Sequence, residues 1–284
     1  MSDGELAGRT VVMSGGSRGI GLAIAKRIAA DGANVALIAK TAEPHPKLPG
    51  TVFTAAEEIE EVGGTALPIV GDVRDEAQVA AAVVQAAEKF GGIDIVVNNA
   101  SAINLAPMAD LEVKRYDLMQ QINSRGTFVL TKAALDHLRA SDHAHVLTLS
   151  PPLSADPKWL KGNSAYTLSK MGMTMLTLGL AADEAANGVG ANCLWPRTII
   201  ATAAVQNLLG GDEAMARART ADIYADAAYE ILRRDPRECT GNAYIDDEVL
   251  AEAGVTDFSK YSAPDAELAL DLFVDEWGPS GPDS

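Results

Sequence analysis

The chain has 284 residues, 48% of them hydrophobic, enough to bury the core of one large α/β domain or two small ones and too apolar for a disordered chain. A formal net charge of −16 repels nucleic acid, and two cysteines as far apart as Cys193 and Cys239 imply neither a disulfide framework nor a zinc site. No apolar run is long enough to span a bilayer, and the start Met-Ser-Asp-Gly-Glu lacks the basic and apolar regions of a signal peptide, so the expectation is a soluble cytoplasmic protein without membrane partners.

Val11 to Met13 reads as a buried strand. The glycine turn Ser14-Gly15-Gly16-Ser17-Arg18-Gly19-Ile20-Gly21 follows, and then a helix over 20–30 with apolar residues at helical spacing. Strand, glycine turn and helix form a phosphate-binding arrangement. The glycines let the backbone approach a pyrophosphate, and the helix aims its free N–H groups and positive dipole end at the anion. The spacing Gly15-x-x-x-Gly19-x-Gly21 is neither the usual dinucleotide G-x-G-x-x-G nor a P-loop. Residues 34–39 form the second strand candidate, with Lys40 at its carboxyl end. In dinucleotide folds that position faces the adenosine ribose, where an acid bonds the 2′-hydroxyl and a base accepts a 2′-phosphate. Ala39, Lys40 and Thr41 include no acid, and Arg18 can converge on the same phosphate as Lys40, which favours NADP over NAD. Pro44, Pro46 and Pro49 forbid a helix over 41–50, a loop in which His45 and Lys47 are either further phosphate contacts or surface.

A helix over 51–62 ends at Gly63-Gly64, a strand over 66–70 leads to Asp72-Val73, and Asp75 caps a helix over 76–90. The strand 93–97 is nearly continuously apolar and runs into Asn98-Asn99. Such strands alternating with helices predict an α/β fold, a single doubly wound parallel sheet of Rossmann type flanked by helices on both faces. Its ligands lie at the carboxyl ends of strands, where the glycine turn, Lys40, Asp72 and Asn99 all fall. Residues 111–138 read as one long helix with Asn123 near its middle, where Ser124 and Gly126 weaken the propensity enough for a local irregularity. The strand 143–149 ends at Ser150, and His143 and His145 on it lack a third ligand for a metal. Prolines make 151–163 a loop. The long apolar helix 164–186 carries Tyr166 and Lys170 four residues apart, on one face. A lysine beside a phenol is expected to lower the tyrosine pKa from about 10 toward neutrality, as acid–base work requires. Beyond it come a strand over 190–195, a helical stretch 201–220 broken by Gly210-Gly211, a helix over 221–233 and a last strand over 242–246. The domain is taken as 1–249 and the acidic residues 250–284 as a peripheral C-terminal tail.

The glycine turn, Asp72-Val73, Asn98-Asn99-Ala100, Asn123, Tyr166-x-x-x-Lys170 and Thr240-Gly241 together resemble the short-chain dehydrogenase/reductase family, in order and spacing, over residues 8–246. The resemblance implies hydride transfer between a nicotinamide and a carbonyl or alcohol. It implies that Gly15, Gly16, Ser17, Arg18, Gly19, Ile20 and Gly21 hold the pyrophosphate, Asp72 and Val73 the adenine, Asn99 the adjacent ribose region and Thr202 the carboxamide. Tyr166 would be the proton donor in reduction, Lys170 would hold the nicotinamide ribose, and Asn123 would anchor a water in a proton relay. Three departures stand out. The serine usual thirteen residues before the tyrosine is Leu153, with Ser150 and Ser154 as substitutes. The usual Pro-Gly is Pro196-Arg197, where Arg197 meets a phosphate or acyl-CoA or points outward. The usual Asp-Gly-Gly is Asp246-Asp247-Glu248.

Stretches such as Ala39-Lys40-Thr41-Ala42, Ser150-Pro151-Pro152 and Leu194-Trp195-Pro196 resemble the hydroxysteroid dehydrogenase-like branch, whose members can carry a C-terminal sterol-carrier-like domain that this chain is expected not to reach. The expected substrate is small, apolar and, by analogy, lipid-derived. It would meet Leu153 to Trp159 and the lid 201–219, with Trp159, Leu208, Leu209 and Met215 forming either an apolar pocket or plain lid packing. The alternatives are an NADP-holding sensor or scaffold with little turnover, and an enoyl or dienoyl thioester reductase, against which Tyr166 counts. A homodimer or homotetramer is expected through helices 111–138 and 164–186, with Met171, Met173, Met175, Leu176, Leu180, Gly172 and Gly179 at the seam or packed on the sheet.

Overall fold

The computed structural model describes residues 4–44 and 50–281, apart from the side chain of Leu208; the loop candidates His45 and Lys47 lie outside the described residues. Seven strands, β1 (Thr10–Ser14), β2 (Asn34–Ala39), β3 (Thr65–Val70), β4 (Ile95–Asn98), β5 (His145–Leu149), β6 (Gly190–Trp195) and β7 (Ala243–Ile245), form one sheet. All pairings are parallel and the order is β3-β2-β1-β4-β5-β6-β7. The order reverses between β1 and β4, and ligands of doubly wound sheets bind at such a switch point.

The strands are largely apolar because both faces of the central sheet are covered. Val11 and Met13 enter one core with α1 (Gly19–Ala29), α2 (Val52–Glu61) and α9 (Ala221–Leu232), while Val12 between them enters the other with α3 (Glu76–Phe90) and α5 (Ser124–Ala140). Asp75 caps α3 as anticipated, accepting from the backbone N–H groups of Ala77 and Gln78 at 3.0 and 3.1 Å. Among the described residues no helix is long and apolar enough to cross a membrane.

Three stretches differ from the sequence reading. The single helix 111–138 is two helices, α4 (Val113–Ile122) and α5, because Asn123 has ψ −81° and breaks the run. The loop 151–163 holds a one-turn α6 (Pro157–Leu160), which the Asp156 carboxylate and Pro157 start. It leads into α7 (Ser164–Asp183). The stretch 201–220 winds as a π-turn over Val205–Leu209 and a short α8 (Gly211–Ala216).

The C-terminal residues are not peripheral. The boundary at 249/250 falls inside a helix, α10 (Asp246–Glu252), and Phe258, Tyr261, Phe273 and Val274 are buried. Composition misleads here because Glu252, Asp257, Asp265, Glu267, Asp275 and Glu276 all face solvent while the large apolar residues Phe258, Tyr261, Phe273 and Val274 turn inward.

Candidate active site

The glycine turn joins β1 to α1. Gly15, Gly16 and Gly19 have φ of +78°, +88° and +57°, which side-chain-bearing residues avoid. Space is as tight as conformation. A Cβ on Gly15 or Gly21 would stand 2.5 Å from the Asn99 amide nitrogen, and one on Gly21 also 2.8 Å from the Gly16 Cα. Asn99 reaches across the switch point to donate to the Ser14 carbonyl at 3.0 Å, and its own N–H donates to the Ser14 hydroxyl. It therefore shapes the turn from beneath. Ser17 is buried, Ile20 packs against the first core, and Thr202 brings its methyl to 3.6 Å from where a Gly19 Cβ would be. The turn is a backbone cradle closed on one side by Thr202.

At the end of β2 the structure pairs Lys40 with Asp72, while Arg18 reaches from the glycine turn to the loop at Gly50. Arg18 donates from Nη2 to the Gly50 carbonyl at 2.9 Å, while its Nε is buried with no partner among the described residues. Lys40 is largely exposed and pairs with Asp72 at 3.1 Å. Arg74, which the sequence reading passed over, grips the same carboxylate through Nε at 3.0 and 2.9 Å and holds it well below the usual carboxylate range against the opposing pull of burial. Val73 is buried and fits over Gly126, where a Cβ would meet it at 3.2 Å.

At the ends of β5 and β6 the structure places Tyr166 and Lys170, both buried, on the first turns of α7. The Lys170 ammonium donates to the Leu149 carbonyl at 2.6 Å and lies 5.1 Å from the centre of the Trp195 ring. Among the described residues the Tyr166 hydroxyl has no hydrogen-bond partner. The expected lowering of the Tyr166 pKa is not what this geometry produces. Burial, and then the charge of Asp271, push the phenol above its usual value. Burial also pulls Lys170 down to about 7, with Asp271 opposing. Desolvation of a buried pair outweighs the lysine's influence on the phenol.

Asn123 is fully buried and spends its side chain on structure. Its Oδ1 accepts from the Ala102 N–H at 2.7 Å, and its Nδ2 donates to the Ala102 carbonyl and to the Ser169 hydroxyl at 3.0 and 2.8 Å. Its own carbonyl still accepts from the Thr127 N–H at 3.1 Å. Ser150 is fully buried and accepts from the Thr174 hydroxyl at 2.8 Å, within a network that also faces Cys193. Ser154 accepts from the Asp156 N–H, and Leu153 is exposed. His143 and His145 tie β5 to the end of α9 through the carbonyls of Leu232 and Arg234.

The short chain dehydrogenase family profile matches residues 9–211, most of the chain. The chain belongs to the short-chain dehydrogenase family. It is 52% identical over 275 residues to human hydroxysteroid dehydrogenase-like protein 2, an alignment covering 96% of this chain and 65% of that protein. It thus spans about two thirds of the length of that relative. A crystal structure of a short chain dehydrogenase from Mycobacterium thermoresistibile is 57% identical, with a TM-score of 0.91 and 98% of each chain covered. A short chain dehydrogenase from Burkholderia cenocepacia, solved in complex with NADP, is 31% identical with a TM-score of 0.72, covering 85% of this chain and 97% of that one.

Two of this chain's departures from the family pattern are partners of each other. Arg197 does not point outward. Its Nε donates to both Asp247 carboxylate oxygens at 3.0 and 3.1 Å, its Nη2 pairs with Glu248, and its backbone N–H is accepted by Asp246 at 2.9 Å. The guanidinium also holds the C-terminal residues, donating from Nη1 to the Glu276 carbonyl at 2.9 Å. Arg219 does the same at Ser280, whose hydroxyl donates to Asp247 at 2.6 Å. This latch draws residues 269–276 across Tyr166 and Lys170. Trp195 donates to the Leu272 carbonyl at 2.7 Å, and the Phe273 ring lies 6.3 Å from that of Tyr166 at an interplanar angle of 24°. The sequence reading missed this strap. Its signal is the apolar run Leu268-Ala269-Leu270 and Leu272-Phe273-Val274 inside an acidic tail, too apolar to stay in water.

Proposed function

We propose that the chain is an NADP-dependent oxidoreductase that moves a hydride between nicotinamide and the carbonyl or alcohol of a small apolar substrate. The observation that carries the reading is the Tyr166 phenol, unpartnered beside Lys170 at the carboxyl edge of the sheet. The glycine turn fits a dinucleotide because its crowded backbone leaves N–H groups, and no side chain, to meet a pyrophosphate at the start of α1. Arg18 and Lys40 supply the charge for a 2′-phosphate. Lys40 can leave Asp72 without stranding it, since Arg74 stays bidentate on that carboxylate. The NADP held by the Burkholderia relative supports this choice of cofactor. When bound, the cofactor supplies or receives the hydride. Tyr166, kept protonated by burial, is in the form that donates a proton to a carbonyl oxygen when the reaction runs as a reduction. Asn123 fixes the Ala102 loop against α7 and so positions the tyrosine's helix.

Fluorescence titration with NADPH and NADH tests the cofactor assignment. Wild type is expected to bind NADPH at least tenfold more tightly, and Lys40→Glu to lose that preference. Equal binding of the two cofactors by wild type would remove the argument from Lys40. Binding of neither would remove the enzyme reading.

A second reading, an NADP-holding protein with little turnover, draws on the engaged Ser150 hydroxyl and the strap over Tyr166. Tight NADPH binding with no oxidation across a broad carbonyl panel would favour it. We also propose a homodimer or homotetramer through α5 and α7. Their outer face presents Phe128, Leu168, Met175 and Leu176, while Met171 and Met173 turn inward.

A further inference from the structure

We propose that residues 269–275 form the substrate-facing wall of the active site and that Phe273 is its specificity-determining residue, selecting carbonyl compounds with a flat apolar body beside the reacting carbon. The inference rests on the oxidoreductase reading and deepens it. Phe273 lies within 5.7 Å, centroid to centroid, of both Trp159 and Trp195, at interplanar angles of 59° and 61°, and nearly parallel to Tyr166. Three rings from three separate stretches of chain, Trp159, Tyr166 and Trp195, thus gather around Phe273, and one of them is the phenol placed to protonate a substrate. An apolar body set among them exchanges ring-to-ring contacts for its own, with offset-stacked and edge-to-face geometries on offer.

The backbone marks the same residue. Among the described residues only Asp265 and Phe273 are non-glycines with positive φ, and Phe273 stands at +71°. A bulky side chain is held in that conformation only where its surroundings over-determine it, and such positions cluster at ligand-binding sites. Here the surroundings are explicit. The antiparallel bridge between Thr198 and Leu270, the Ile199 N–H on the Ala269 carbonyl and the Trp195 indole on the Leu272 carbonyl hold the strap immediately before the ring. Lys158 on Asp275 and Arg197 on the Glu276 carbonyl hold it immediately after. Tyr166 is only 5% exposed under this strap. A substrate reaches the phenol by lifting the segment between those two anchor points and then lies against the ring that was lifted.

The probe is 2-acetylnaphthalene, a flat apolar ketone, titrated by calorimetry into the protein saturated with NADP+, with butanone as the small comparison. Phe273→Gly is the principal variant because glycine keeps a φ of +71° without strain, so the strap retains its path while the ring is lost. Phe273→Tyr is the conservative control. The expected result is that Phe273→Gly weakens 2-acetylnaphthalene at least tenfold relative to butanone, that NADPH binding stays within about twofold, and that Phe273→Tyr restores the naphthyl ketone. Unchanged or tighter binding of the naphthyl ketone by Phe273→Gly overturns the proposal, since the ring would then be a bystander or a plug. So does a wild-type protein that binds NADPH and fails to bind 2-acetylnaphthalene. Failure to bind NADPH is a different result, because it removes the oxidoreductase reading and this proposal with it.

Discussion

Gly21 has no room for a methyl group. Its Cβ would stand 2.5 Å from the Asn99 amide and 2.8 Å from the Gly16 Cα, and the second of these is backbone that cannot rotate away. Gly21→Ala is therefore expected to push the turn apart, weakening NADPH at least tenfold in a fluorescence titration and costing about 1–3 kcal/mol of stability as overpacking does. His145 sets a pH dependence of a different origin. It is buried, and desolvation holds its pKa down to about 4, against about 6.5 for an unfolded histidine. Above pH 6.5 the ring is neutral in both states and the fold has its full stability. As pH falls toward 4 only the unfolded chain takes up the proton, and stability is lost. In denaturant melts across that range, wild type is expected to lose up to roughly 3 kcal/mol relative to His145→Gln. The glycines, Lys40, Asn99 and the Tyr166–Lys170 pair were legible as residues from their spacing. Arg74 and the hydrogen bonds that occupy Ser150 were not, because a spacing names a residue without naming its partners.

Most elements follow from periodicity, and β2, α3 and β6 have the bounds that apolar runs and caps assign them. The break at Asn123 was legible as weak propensity, but its cause is tertiary. The Asn123 side chain bonds to Ala102 and Ser169, and those bonds hold the kink in place. The strap is the element that local sequence hides. Its anchor is Arg197 with Asp247, both buried and fifty residues apart in sequence, each visible as a departure from the family pattern but with nothing in its own stretch to name the other as its partner. Arg197→Leu takes from the buried Asp247 carboxylate its ion-pair partner, a loss worth up to about 3–5 kcal/mol. The expected outcome is a lower denaturation midpoint together with faster deuterium exchange at residues 269–276. Arg197→Leu combined with Asp247→Asn is expected to recover part of that stability, because it removes the stranded charge.

At the scale of the molecule, the outer face of α5 and α7 presents an apolar patch that a solitary chain would leave wet, with Leu168 and Met175 both more than half exposed. Light scattering is expected to report a dimer or tetramer, and Met175→Glu with Leu168→Glu to reduce it to the monomer mass while leaving NADPH binding intact. A monomeric wild type would remove the assembly proposal. The sequence by itself determined the doubly wound sheet, since continuous apolar strands alternating with amphipathic helices have few other ways to bury both faces. It also determined the glycine turn and the tyrosine–lysine pair, whose meaning lies in short fixed spacings. Only the tertiary structure decided the fate of the phenol, the pairing of Arg197 with Asp247 and the path of the strap. Those depend on which distant groups desolvate one another, and burial is a property of the packed chain rather than of any stretch of it.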